Sequence, residues 1–397
     1  MNRVMLIVGV LLLAGCSRKP VVSVTREQLF SLEIGRFEDQ VALYNLEGDS
    51  GIRRTTLAMR DGLFYIADGK GQKITRYDSY GDLLFMVYNE ETNPTPLTLQ
   101  TMPETDIATR WALTYPLREL GKIVVDSRKC IYVEDVLPQD ERRLDPETGA
   151  LLDRVILFFD AEGHFQSRIG QEGVNGRPFS FIEGIYTSLN DEFAVVCRVS
   201  TGWYVYWFDS GGQFRYLIKL QQDHIPVPLD RDMVFPSIDT IVVAPDARNL
   251  YLKVDYYRES FDSSTMMRTG TEPDSSVIWI IRVEDGSYAP ERFEVPFYEA
   301  VENEGGRRTS LKMFYSMMGA IKNRRVFLYV PVEQGYSLLA LGTEGQWRGF
   351  IQIAPDELLF NAFSLSDDGI ISAMLANNWQ VKLVWWRTDK FMGGASS

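Results

Sequence analysis

Leu57-Ala-Met-Arg-Asp61-Gly-Leu-Phe-Tyr-Ile66 and Val124-Val-Asp126-Ser-Arg-Lys-Cys-Ile-Tyr-Val133 carry one design: an apolar run, a polar turn holding an Asp, and a second apolar run. β-Branched and aromatic residues dominate both runs, so each stretch reads as two strands joined by a tight reversal. The design returns at Asp191 before Phe193-Ala-Val-Val196, at Asp246 before Leu250-Tyr-Leu252 and at Asn323 before Val326-Phe-Leu-Tyr329. Its last copy is Asp367-Asp-Gly369 before Ile370-Ile371, which makes six along the chain.

Working outward, a third strand follows each hairpin and is densely apolar, as in Val155-Ile-Leu-Phe-Phe159, Trp203-Tyr-Val-Tyr-Trp-Phe208, Val277-Ile-Trp-Ile-Ile281 and Val381-Lys-Leu-Val-Trp-Trp386. A turn closes it: Asp78-Ser-Tyr-Gly81, Asp160-Ala-Glu-Gly163, Asp209-Ser-Gly-Gly212, with looser versions ending at Gly286 and Gly345. Asp at the first position can accept bonds from the backbone ahead of it, and Gly at the fourth relieves strain as the chain reverses. An alternating strand such as Gln213-Phe-Arg-Tyr-Leu-Ile218 completes a four-stranded meander, strands a to d. A meander repeated six times with two faces to bury predicts an all-β chain, a six-bladed β-propeller over residues 29–391. The blades fall near 52–89, 121–170, 181–220, 237–296, 311–353 and 360–391, with a tail at 392–397. The last unit ends on its c strand. Leu29-Phe-Ser-Leu-Glu-Ile34, which alternates at period two, is expected to supply the missing d strand and close the ring.

Two units resemble NHL repeats, through Leu63-Phe-Tyr-Ile-Ala-Asp68 with Lys73-Ile-Thr-Arg-Tyr-Asp78, and Gly121-Lys-Ile-Val-Val-Asp126 with Ile131-Tyr-Val-Glu-Asp135. The other four keep only the turn pattern. Gly35-Arg-Phe-Glu-Asp-Gln40 resembles a motif of propeller lipoproteins. The amino-terminal residues point the same way. Arg3 precedes an uncharged apolar run from Val4 to Ala14, too short to span a bilayer, and the run ends in Leu13-Ala14-Gly15-Cys16. That tetrapeptide resembles a bacterial lipoprotein signal. It implies a signal peptide over 1–15, diacylglyceryl and palmitate-type acylation of Cys16, and a lipidated tether over 16–28. Two or three acyl chains hold a protein on a membrane far better than one. Ser17 stands where Asp is the usual inner-membrane retention signal, which favours the outer membrane.

Composition removes several function classes. The chain of 397 residues has a net charge of -13 with no basic segment to offset it, which argues against nucleic-acid binding. Two histidines, His164 and His224, fall on opposite faces of the meander topology, and Cys130 and Cys197 lie in consecutive blades too far apart to bridge. Two buried free thiols are expected. Gly48-Asp-Ser-Gly51 reads as turn chemistry and not as a protease nucleophile, because the flanking Gly-Pro is absent. Asp230 and Asp232 read as a solvated acidic loop, and Asp68-Gly-Lys-Gly71 joins two strands where a phosphate loop would open a helix. No catalytic residue, cofactor or metal ligand is expected.

Loop lengths sort by face. The a–b and c–d turns are short, whereas the long connections, 90–120, 137–152, 221–236, 258–275 and 297–310, are all d–a or b–c and share the other face. Long connections on a rigid scaffold are where binding concentrates. The candidate partner contacts are Trp111, Tyr115, Phe261, Met266, Met267, Phe297 and Tyr298. The alternative for these side chains is a lid folded onto the blade ends. Trp203, Trp207, Trp385 and Trp386 belong to c strands and are expected between blades. The expected function is a monomeric, non-enzymatic binding or scaffold lipoprotein, similar in plan to BamB-type propeller lipoproteins of outer-membrane protein assembly. Those have eight blades, so the likeness is one of plan. The rivals are an NHL-like hydrolase or lyase, such as a calcium-dependent lactonase, and a carbohydrate-binding or adhesive surface protein.

Overall fold

The apolar runs of the repeat become strands, and the strands gather into sheets that follow the chain. The computed structural model describes residues 21–43, 54–101, 110–228, 233–262, 264–304, 307–357 and 359–392. The first blade is the antiparallel meander Thr55–Arg60, Leu63–Asp68, Lys73–Tyr77 and Leu83–Tyr88. The second is Ile123–Val125, Ile131–Val136, Arg154–Phe159 and Phe165–Gly170. The third is Phe181–Thr187, Phe193–Val199, Gly202–Phe208 and Phe214–Gln221. The fourth is Val234–Val243, Asn249–Phe261, Arg268–Arg282 and Tyr288–Val295. The fifth is Ser316–Ile321, Arg325–Val332, Gly335–Gly342 and Gly345–Gln352. The sixth takes Phe360–Leu365, Ile371–Ala376 and Gln380–Trp386 from the end of the chain. Its outer strand comes from the start: Arg26–Ile34 runs antiparallel to Gln380–Trp386, with Arg26 opposite Trp386 and Glu33 opposite Gln380. The ring is a six-bladed β-propeller. Its closing strand begins at Arg26, earlier than the alternation of residues 29–34 suggests.

Both faces of each sheet are buried, which is why the inner strands read as continuous apolar runs. Alternate residues of Leu63–Asp68 go to opposite seams. Phe64 and Ile66 pack with Leu32, Met374 and Leu383 against the sixth blade. Tyr65 and Ala67 pack with Val133 and Leu157 against the second. Six such clusters form the core, one in each seam. Trp203, Trp207 and Trp386 are buried in them and Trp385 half-buried, as expected of c-strand tryptophans.

The Asp-x-x-Gly turns between strands c and d behave alike. Asp78 Oδ1 accepts from the amides of Tyr80 and Asp82 at 2.9 and 3.0 Å, Asp160 Oδ1 from Glu162 and His164 at 3.1 and 2.8 Å, and Asp209 Oδ1 from Gly211 and Gln213 at 3.0 and 2.9 Å. Gly81, Gly163 and Gly212 take φ of 91°, 89° and 78°, where a side chain would be strained. Each also abuts the outer strand of the preceding blade. A Cβ would meet Phe30 at Gly81, Val87 and Phe85 at Gly163, and Ile169 at Gly212. Phe30, near the start of the chain, thus occupies the position that Phe85 and Ile169 hold in the next two seams.

Two devices lock the closing strand. Glu357, between the fifth and sixth blades, accepts from both terminal nitrogens of Arg26, at 2.5 and 2.9 Å, and from Lys382 Nζ at 2.8 Å. One carboxylate therefore clamps the first strand to the last. The Gly35–Gln40 stretch is the second device. Lys73, fully buried, donates to the carbonyl of Phe37; Glu38 accepts the amides of Leu97 and Thr98 at 2.7 and 2.9 Å. Gln40 Nε2 donates to Glu33 at 3.1 Å, and its carbonyl oxygen lies where a side chain on Gly35 would stand. The motif fastens the sixth blade to the first.

On the plain face the a–b turns are tied across all six seams. Lys129 pairs with Asp61 between the first and second blades. Ser127 donates its amide and hydroxyl to Asp191 at 2.8 Å each, and Ser188 Oγ donates to the carbonyl of Ala244 at 2.8 Å. The Asn323 amide donates to Asp246 at 2.8 Å, Lys322 Nζ to Asp368 at 2.9 Å, and Arg60 meets Asp367 at 3.3 Å, which returns the circuit to the first blade.

Candidate partner-binding face

Two of the five expected long loops are mostly strand. The 258–275 connection continues the second and third strands of the fourth blade into a hairpin, paired down to Phe261 opposite Arg268. Those strands have 13 and 15 residues, where the corresponding strands of the third blade have 7 each. At ~3.3 Å per residue the extra six stand about 20 Å clear of the blade. The 297–310 connection is a second hairpin, Tyr298–Glu304 with Arg307–Met313, and residues 137–152 hold a short one, Arg143–Leu144 with Leu151–Leu152.

The foot of the tall hairpin is fixed by buried charge. Lys253 is wholly buried, with Nζ 2.7 and 2.8 Å from the two Asp255 oxygens and 3.3 Å from Asp239. Ser276 Oγ donates to Asp255 at 2.6 Å. Burial raises the Asp255 carboxyl above its ordinary value, and Lys253 opposes that rise. Phe314 lies under the ammonium at 5.7 Å, with Tyr257 edge-on to its ring at 5.4 Å and Phe297 at 5.2 Å.

The tip is equally ordered. Asp262 Oδ1 accepts the amides of Ser264 and Thr265 at 2.9 and 2.7 Å and both their hydroxyls, at 2.5 and 3.0 Å. These bonds hold its carboxyl well below the usual carboxylate range. Met266 is kept at φ 55°, in the left-handed region. Phe261, Met266 and Met267 are 52%, 74% and 69% exposed, and Met233 and Phe235 are exposed at the start of the inner strand of the same blade.

The remaining sequence candidates face inward. Trp111 lies in Trp111–Thr114, a strand added parallel to the outer edge of the first blade, and stacks on Phe85 at 5.9 Å. Its indole donates to the carbonyl of Glu162 at 2.7 Å across the seam. Tyr115 packs on Phe159 and Phe165 at 5.4 and 4.7 Å. Phe297 and Tyr298 are half-buried, Tyr298 against Tyr315 at 6.1 Å, so they root the second hairpin. These four follow the lid alternative. The neighbouring sequence carries the distinction: Trp111-Ala-Leu-Thr-Tyr115-Pro-Leu117 and Val295-Pro-Phe297-Tyr298 run among apolar residues, whereas Phe261, Met266 and Met267 sit among Ser, Asp, Thr and Arg.

Charged residues stand at or beside the inner strands of the first four blades. Arg54 and Lys122 immediately precede the inner strands of the first two blades, and Glu183 and Asp239 lie within those of the third and fourth. Burial, then the Arg54 charge, holds the Lys122 ammonium below its ordinary value. Arg54 also lies over the Phe181 ring at 5.0 Å. The plain-face mouth is a cavity of about 180 Å³ lined by Arg60, Asp61, Lys322, Asp367 and Asp368, side chains already spent on the inter-blade ties. Among the described residues no three His, Cys, Asp or Glu side chains gather to hold a metal ion. His164 stands in a c–d turn, 3.3 Å from Asp160, and His224 in a d–a connection. Cys197 is buried and Cys130, which precedes its b strand, is half-buried; neither is bridged, and burial raises both thiols, Cys130 to about 11. Cys16, Gly48 to Gly51, Asp230 and Asp232 lie outside the described residues, among which no helix is long and apolar enough to cross a membrane.

No protein-family model matches the chain, and no curated protein matches it. Solved structures to which it is similar include a streptogramin B lyase, 14% identical over 89% of this chain and 97% of that one, with a TM-score of 0.35. A gluconolactonase from Xanthomonas campestris is 11% identical over 92% and 97%, at 0.40. A protein of unknown function from Dyadobacter fermentans is 10% identical over 91% and 99%, at 0.41. At such values the likeness carries no argument about activity, and the fold rests on the strand pairing above.

Proposed function

We propose that the chain is a membrane-anchored, non-enzymatic binding protein that engages a protein partner through the hairpin of its fourth blade. One observation carries this reading: a rigid hairpin, fastened at its foot by Lys253 and at its tip by Asp262, holds Phe261, Met266 and Met267 away from the core they could have joined. Aromatic and Met side chains are enriched in interface cores, where one anchor contributes ~2 kcal/mol or more. Pre-organisation lowers the entropy lost on binding. The anchor is the Leu13-Ala-Gly-Cys16 motif, with acylation at Cys16, and an accessory role in outer-membrane protein assembly suits an anchored propeller.

A photo-crosslinker at Met266 in living cells should give a discrete protein adduct, and one at Tyr80 on the plain face should not. Met267→Ser should weaken the Met266 adduct at least tenfold without moving Tm. Trp111→Ala and Tyr115→Ala should instead lower Tm, because they cover a seam. An adduct only from Tyr80, or a tip variant that unfolds the chain, would overturn the reading.

A further inference from the structure

The path of the chain before the closing strand constrains how the anchored molecule can stand. Val22–Ser23 is a fifth strand on the outer edge of the fifth blade, parallel to Gly345–Gln352, with Val22 opposite Gly349 and the Val24 amide bonded to the carbonyl of Phe350 at 3.0 Å. Five residues separate Cys16 from Val22, and the six Cα steps between them reach about 20 Å at full extension. An acyl group on Cys16 therefore cannot leave the outer edge of this blade more than that distance from the bilayer.

That edge carries a surface suited to a headgroup layer. Trp347, half-buried against Phe327 at 6.4 Å, folds its ring over Gly349, where a Cβ would meet it, directly beside the Val22 strand. Phe391, from the terminal turn Asp389–Met392, stacks on Trp347 at 6.2 Å and remains partly exposed. The turn is held by Arg325, which donates to the carbonyl of Met392 at 2.8 Å. Val21 stands exposed at this edge, and Lys390, next to Phe391, is exposed with Glu27 of the closing strand 4.0 Å away. Arg18 and Lys19 precede it in the tether of a chain whose net charge is otherwise strongly negative. Aromatic rings and basic groups together are what the membrane interface accepts, and basic residues draw such a segment to anionic lipid.

We infer that the propeller stands edge-on to the bilayer, with the fifth blade's outer edge against the headgroups and both circular faces open to the side. This rests on acylation of Cys16. The hairpin of the adjacent fourth blade then projects along the membrane plane, toward a partner lying beside the protein and not above it.

The test uses the full-length lipoprotein with Cys130 and Cys197 replaced by Ala, reconstituted in phosphatidylethanolamine–phosphatidylglycerol vesicles. An environment-sensitive fluorophore is placed in turn on Val21→Cys, Phe391→Cys, Met266→Cys and Tyr80→Cys. Labels at residues 21 and 391 should brighten at least twofold on reconstitution and be quenched by spin-labelled lipid; those at 266 and 80 should change by less than a fifth. Quenching at 266 or 80, or none at 21 and 391 in a chain shown by mass to be acylated, would overturn the orientation alone. A chain with no acyl group would overturn the orientation together with the anchor on which it rests.

Discussion

Glu357 shows how much of a closed ring can depend on one side chain. Hydrogen bonding from Arg26, then from Lys382, holds its carboxyl down to about 2 against the opposing effect of burial, from an ordinary 4.5. A carboxyl lowered in the folded state contributes stability that is complete above pH 4.5 and lost as pH falls toward 2. Glu357→Gln should therefore cost about 1–3 kcal/mol near neutral pH, the usual scale for hydrogen bonds to a partly buried charge. The difference in Tm from the parent should shrink through pH 4 and vanish near pH 2. Thermal melts across that range check both statements, and an equal deficit at pH 7 and pH 2 would show that Glu357 acts by packing.

Among the elements, the closing strand has the largest consequence for its length. A chain starting at Arg36 lacks Arg26–Ile34, so the last c strand becomes an open edge and Leu32 and Phe30 leave a buried seam. It should aggregate, since an exposed edge templates pairing with other chains. Size-exclusion chromatography of the shortened chain reads this directly, and a stable monomer would mean the ring closes without it.

The closing strand was legible because one of its faces is buried, and period-two alternation is the mark of such a face. The tall hairpin was not. Residues 258–275 project beyond the core, neither face is covered, and nothing requires Glu-Ser-Phe-Asp-Ser-Ser to alternate. Its pairing comes from continuing strands already in register, which a sequence read segment by segment does not display. The Gly35–Gln40 motif stood out in the sequence, but its purpose lay in Lys73 and Thr98, residues far along the chain that only the fold brings near.

At the scale of the whole molecule the two faces differ in kind. The plain face is tied at every seam between neighbouring a–b turns, whereas the opposite face carries the projecting hairpins. Amides that donate to these ties, such as those of Ser127 and Asn323, should exchange with solvent at least tenfold more slowly than those of Ser264 and Thr265 at the hairpin tip. Deuterium uptake followed by mass spectrometry measures the contrast, and equal rates would show that the ties do not hold in solution.

Six staves hooped at one end behave like a collet. The hooped end keeps its bore, because widening any one seam there stretches the ties in all the others. At the opposite end the fourth blade carries an arm about 20 Å longer than the blade itself. A load on Met266 and Met267 would therefore reach the blade through the foot of that arm, where Lys253 holds both Asp255 and Asp239 of the inner strand.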